Sequence, residues 1–147
     1  MIEGSCLCGG VRFQINGRLS PLQYCHCTRC RKSSGSAFVA AVAAKTDDFQ
    51  WVTGADLVQV YAAPILEAPP PYRTSFCRRC GSPVPLYDRE RPFVVIAVGN
   101  FDQRPEIRPL RHIFVGKKAP WYEIRDGLPQ FEAHVPPEQR LPTTRKA

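Results

Sequence analysis

Seven cysteines in three short motifs, Cys6-x-Cys8, Cys25-x-Cys27-x-x-Cys30 and Cys77-x-x-Cys80, constrain this chain more than any other feature. Cysteines at such spacings chelate metal. A closed structural zinc site takes four protein ligands in a tetrahedron, whereas a catalytic site keeps one position for water or substrate. Seven divides into four plus three, which predicts one closed zinc and one with an exchangeable position. A disulfide framework is the usual alternative for a small cysteine-rich domain. The odd count and the poor placement of Cys-x-Cys for an internal bridge argue against it. So does Met1-Ile2-Glu3-Gly4-Ser5, which has no basic start leading into an apolar run. Free thiols in a reducing compartment, the cytoplasm, are expected. The longest apolar stretches, Ala37 to Ala44 and Phe93 to Val98, are far short of the ~20 residues of a membrane helix.

With 147 residues and 44% apolar composition, the chain is long enough for one domain with a real core. Runs rich in β-branched and aromatic residues occur at Val11 to Ile15, Phe38 to Ala44, Phe49 to Thr53, Leu57 to Tyr61, Arg73 to Phe76, Phe93 to Asn100 and Arg111 to Val115. Gly, Pro and Asp signals separate them, the pattern of an all-β fold of short antiparallel strands with little helix. Fifteen prolines argue against long helices. One short helix is expected from Thr28 to Ser34, with Thr28 as N-cap and Gly35 as its stop. Pro64 to Tyr72, containing Pro69-Pro70-Pro71, reads as an extended surface loop. The domain is expected to span residues 4–133, followed by a loosely ordered, basic, proline-bearing tail at 134–147.

In a strand, residues i and i+2 share a face, so Cys6 and Cys8 can reach one metal, as can Cys25 and Cys27. Cys77-Arg78-Arg79-Cys80-Gly81 instead places two cysteines around a tight turn. Spacing leaves the grouping open. Cys27, Cys30, Cys77 and Cys80 can form an ordinary zinc ribbon. Keeping each motif whole is more economical: Cys6, Cys8, Cys77 and Cys80 then close one site, and Cys25, Cys27 and Cys30 make the open one.

Three stretches carry a resemblance to a known family. They are Gly4-Ser5-Cys6-Leu7-Cys8-Gly9-Gly10-Val11, then Cys25-His26-Cys27-Thr28-Arg29-Cys30-Arg31-Lys32 with Gly35-Ser36-Ala37-Phe38, then Phe76-Cys77-Arg78-Arg79-Cys80-Gly81-Ser82. A looser match runs through Gly99-Asn100-Phe101-Asp102, Pro109, His112-Ile113-Phe114 and Trp121. The chain resembles the glutathione-dependent formaldehyde-activating enzymes, a family that includes centromere protein V. The resemblance implies an Mss4-like all-β fold, a structural zinc on Cys6, Cys8, Cys77 and Cys80, and a catalytic zinc on Cys25, Cys27 and Cys30. It also implies a carbon–sulfur lyase-type activity on the adduct of glutathione and formaldehyde.

The residues suit that chemistry. Three thiolates on zinc leave a net −1, which weakens Lewis acidity and favours exchange of a sulfur ligand. Glutathione brings two carboxylates, for which Arg29, Arg31 and Lys32 are candidate anchors. His26, between two cysteines, is expected to turn its ring away from the metal. Asp102 reads as a turn-forming carboxylate, and Trp121 and Tyr122 as core or pocket aromatics.

The formal charge of +7 admits a second reading, a non-catalytic zinc module that contacts nucleic acid or a protein through Arg12, Arg18, Arg29, Arg31, Lys32, Arg78 and Arg79. Seven thiolates and two zinc ions lower that charge to about +4. The chain also lacks the aromatic–basic interleaving of RNA-binding motifs. Nucleic acid is therefore not the expected partner.

Overall fold

A computed structural model describes residues 1–63 and 72–139. The proline-rich segment expected as a surface loop falls almost wholly outside them, as does the end of the tail. Among the described residues there are ten strands: β1 (Ile2–Ser5), β2 (Arg12–Ile15), β3 (Leu22–Cys25), β4 (Val39–Lys45), β5 (Phe49–Thr53), β6 (Val58–Ala62), β7 (Arg73–Cys77), β8 (Phe93–Ala97), β9 (Pro109–Ile113) and β10 (Gln130–Phe131). One α-helix, α1 (Thr28–Ser34), and several single 3-10 turns complete the architecture.

The strands form a three-stranded sheet in the order β1-β2-β5, a five-stranded sheet β10-β9-β3-β4-β8 and a β6-β7 ribbon. Alternation explains the first. In β2, Phe13 and Ile15 are buried while Arg12 is exposed, the period-2 signature of a sheet with one face on a core. Phe13, Ile15, Leu22, Val42, Phe49, Val94 and Ile96 gather residues from both larger sheets into one cluster. Phe13 stacks on Phe49 with ring centroids 5.5 Å apart and meets Trp51 edge-on at 6.3 Å. Ile96 is fully buried within this cluster. Ile96→Ala should therefore lower the unfolding free energy by roughly 2–5 kcal/mol, read from urea midpoints.

Two features depart from the sequence expectation. The sheets are not purely antiparallel, because β9 runs parallel to both β3 and β10. The Leu22–Cys25 and Ile2–Ser5 segments are strands despite weak alternation, since each gains its partner from elsewhere in the chain. β9 brings Ile113 beside Cys25 and His112 beside Tyr24, so a segment nearly ninety residues downstream braces the second cysteine motif. Packing continues beyond residue 133. The His134 ring meets Phe114 edge-on at 4.6 Å, and Val135 is buried.

Candidate functional site

Both cysteine clusters form where the chain leaves a sheet. Cys6 directly follows β1, and Cys8 lies in a turn closed by the Gly9 N–H on the Cys6 carbonyl at 2.9 Å. Cys77 ends β7, and the Gly81 N–H closes the next turn on the Cys77 carbonyl at 2.7 Å. Gly9 and Gly81 are both left-handed, at φ 71° and 73°, so the chain reverses just past each cysteine pair in a backbone conformation that a residue with a side chain adopts only under strain. The strand geometry expected for Cys6-x-Cys8 is thus corrected. The pair sits on a turn, where backbone N–H groups freed from the ladder can face sulfur. Val11 N–H donates to Cys6 Sγ at 3.3 Å, and the Ser82 N–H beside Cys80 helps hold that thiol down at about 6.

The structure brings together Cys6, Cys8, Cys77 and Cys80, with all four sulfurs within 4.8 Å of one another. Sulfur separations of 3.6 Å (Cys6 to Cys8) and 4.0 Å (Cys8 to Cys77) bracket the edge of about 3.8 Å that a tetrahedron with ~2.3 Å zinc–sulfur bonds requires. Four soft donors at that spacing fit a closed zinc site. Cys6 and Cys77 also pack with Val11 and Val84, so the cluster is continuous with a small apolar core.

Cys25, Cys27 and Cys30 form the second cluster, again within 4.8 Å. It contains no fourth cysteine, histidine or carboxylate ligand among the described residues. Cys25 is the last residue of β3, and the His26 N–H continues the contact with β9 by donating to the Ile113 carbonyl at 3.0 Å. The N-cap of α1 is Cys27, one residue before the expected Thr28, because its sulfur accepts the Cys30 N–H at 3.3 Å. Gly35 ends the helix in the left-handed conformation, as its sequence position predicts.

The three thiols compete for one negative charge. The Cys25 and Cys30 thiols and the backbone N–H groups of α1 hold Cys27 far below the ordinary thiol range. The same interactions push its neighbours the other way. Cys25 is raised to about 11, chiefly by Cys27, and Cys30 is raised by Cys25 and then by Cys27. Metal uptake requires every ligand as thiolate. Cys27 already carries its charge at neutral pH, so binding at this cluster should release about two protons per ion, from Cys25 and Cys30. Lower pH therefore opposes binding. Calorimetric titration in buffers of different ionisation enthalpy measures the proton count.

The candidate anchors lie on α1 with different surroundings. The Arg29 guanidinium rests over the Tyr72 ring, 5.1 Å from its centroid. Arg31 is partly buried, and its Nε has no hydrogen-bond partner among the described residues. Lys32 is exposed. Tyr72, which no motif singled out, donates to or accepts from Ser33 Oγ at 3.0 Å. Burial raises its hydroxyl above the ordinary range, and the charges of Cys30, Cys27 and Cys25 add to that effect, which puts Tyr72 within electrostatic reach of the cluster.

His26 is fully buried. Burial, and then the neighbouring His112 and Lys118, lower it to about 4, so the ring is neutral at physiological pH. Its Nε2 lies 2.7 Å from His112 Nδ1, and its ring packs near Phe38 and Tyr122 at 5.2 and 5.9 Å. Tyr122 thus belongs to an aromatic layer beneath the cluster, while Trp121 is 72% exposed. Asp102 accepts from Ser5 Oγ at 2.7 Å, and its N–H donates to the Glu3 carbonyl, which ties its turn to β1. An open cavity of about 450 Å³ lined by Lys45, Asp47, Arg89, Glu90 and Arg91 contains none of the cysteines.

An all-β domain that gathers a four-thiol and a three-thiol cluster at its sheet ends defines a class of small proteins with two clusters that could each hold a metal ion. Comparison with known proteins narrows the class. The model of the family described as glutathione-dependent formaldehyde-activating enzyme matches residues 1–117, and the chain belongs to that family. It is 33% identical over 129 residues to a Halomonas elongata protein that carries the provisional name of a glutathione-dependent formaldehyde-activating enzyme. That alignment covers 84% of this chain and 81% of the relative. A crystal structure of a Rhodobacter sphaeroides protein superposes with a TM-score of 0.53 at 24% identity, over 73% of this chain and 97% of the other. That likeness is one of fold, which is all-β.

Proposed function

We propose that this protein is a zinc-dependent enzyme of the carbon–sulfur lyase type that acts on the adduct of a small thiol and an aldehyde, with glutathione and formaldehyde as the leading pair. The observation that carries the reading is the asymmetry of the two clusters in a chain of this family: four sulfurs at tetrahedral spacing in one, three in the other. Cys6, Cys8, Cys77 and Cys80 would hold a structural zinc, and Cys25, Cys27 and Cys30 a catalytic one. Zinc in the second site would supply an exchangeable position and favour the thiolate form of a substrate thiol.

The chain's own groups account for the rest. In the direction of adduct formation the thiol sulfur adds to the carbonyl carbon, one carbon–sulfur bond forms as the carbonyl π bond breaks, and the thiol proton ends on the former carbonyl oxygen. Arg31 and Lys32 in the last turn of α1, with Arg29 at its start, supply positive charge for the two glutathione carboxylates. The Tyr72–Ser33 hydroxyl pair lies beside that helix, where a developing alkoxide can be met by a hydrogen-bond donor. Free thiols are kept in a reducing compartment, and the cytoplasm is the proposed location. Among the described residues, no helix is long and apolar enough to cross a membrane.

The test is exchange spectroscopy of glutathione and formaldehyde at equilibrium, with zinc-loaded protein at catalytic concentration. Faster interconversion of free thiol and S-hydroxymethyl adduct than in buffer supports the proposal. An unchanged exchange rate, in protein shown to hold two zinc ions, overturns the substrate assignment.

A further inference from the structure

We infer that Asp126 is a positioning residue for the Cys25–Cys27–Cys30 cluster, acting through His112 and His26. The inference rests on reading that cluster as a metal site and is independent of the substrate.

The chain of contacts is continuous. The Asp126 carboxylate oxygens lie 2.9 and 3.1 Å from His112 Nε2. A carboxylate only accepts, so His112 Nε2 carries a hydrogen and donates it. His112 Nδ1 then meets His26 Nε2 at 2.7 Å, and both rings are fully buried. His26 is the residue between two ligands, in a stretch that belongs to neither β3 nor α1. No strand or helix holds that stretch, yet it carries Cys27 and directly follows Cys25. Its backbone is pinned by the Ile113 carbonyl, and its ring is pinned by His112 on the same strand.

Asp126 is itself held in place. The Leu128 N–H donates to its Oδ1 at 3.1 Å, and the His112 N–H donates to the Pro129 carbonyl at 2.8 Å as the chain enters β10. The carboxylate thus comes from a segment that folds back on β9 and lies beyond the 117 residues the family model covers. Its side chain is 40% exposed, so it is not a core residue whose removal leaves a large cavity. Outer groups that orient metal ligands typically change metal affinity about 10–100-fold when removed.

Cobalt(II) titration of the full chain against a competing chelator, followed by thiolate-to-cobalt absorption, tests the inference, with Cys27→Ser identifying which of two ions occupies the three-cysteine cluster. In Asp126→Ala that ion should bind roughly 10–100-fold more weakly, with the other unchanged. Asp126→Asn, whose side-chain oxygen still accepts from His112, should stay within a few-fold of wild type. Asp126→Glu, which keeps the charge but displaces it, should weaken the same ion alone. Nitrogen-15 imidazole spectra should show a protected His112 Nε2–H in wild type that is lost in Asp126→Ala. Unchanged cobalt affinity in Asp126→Ala and Asp126→Glu, or equal weakening at both clusters, overturns the positioning role alone. A wild-type chain that binds only one cobalt ion overturns the metal-site reading, and this inference with it.

Discussion

Cys77→Ser is expected to abolish the cooperative fold. Cys77 is fully buried, ends β7 and shares its surroundings with Cys6, Val11 and Val84. The cluster it completes joins the turn after β1 to the turn after β7, two points more than seventy residues apart. A structural zinc contributes on the order of 10–16 kcal/mol to the folding of small zinc domains, comparable to or above the ~5–15 kcal/mol by which a whole domain is stable. Serine offers no thiolate, and its hydroxyl would be buried among apolar neighbours. Far-ultraviolet circular dichroism on heating should show no sharp transition in the variant. A wild-type transition in that variant would remove the structural role from the four-cysteine cluster.

Cys27→Ser should behave in the opposite way, losing turnover to the level of buffer while retaining the fold. The reason is local. Cys27 contributes one sulfur to a cluster outside the main core, and its second job is to cap α1 by accepting the Cys30 N–H. Serine is among the best N-cap residues, so the helix start survives the replacement. What is lost is the thiolate that carries the charge of the cluster. Elemental analysis should find the three-cysteine metal gone and the other retained. The thermal transition should stay near wild type, and thiol–aldehyde exchange should fall to the uncatalysed rate. A loss of folding equal to that of Cys77→Ser would sink the division of labour between the clusters.

The contrast between these variants rests on features with different visibility in the chain. The cysteine motifs, the all-β class and the helix following Cys27 follow from local spacing and propensity, because each depends on residues a few positions apart. Gly81 marks its turn for the same reason: a left-handed residue directly after a cysteine pair is a local requirement. Cys-x-Cys was open to a different local solution, and the turns won because they free backbone N–H groups to face sulfur.

Other parts depended on contacts that no short window contains. β3 reads poorly as a strand because it is short and closed at one end by a ligand, and it exists through pairing with β4 and the parallel β9. Tyr72 reaches Ser33 across the fold, and only its pairing there reveals a hydroxyl near the three cysteines.

By itself the sequence determined the donor chemistry, the four-plus-three count and the β character, since these need only residue types and their spacing. Tertiary structure alone decided which sulfurs share a cluster and set Asp126, His112 and His26 in line. Long-range strand pairing between β3 and β9 brings those groups together, and its energy comes from burial and backbone hydrogen bonds that no single segment possesses.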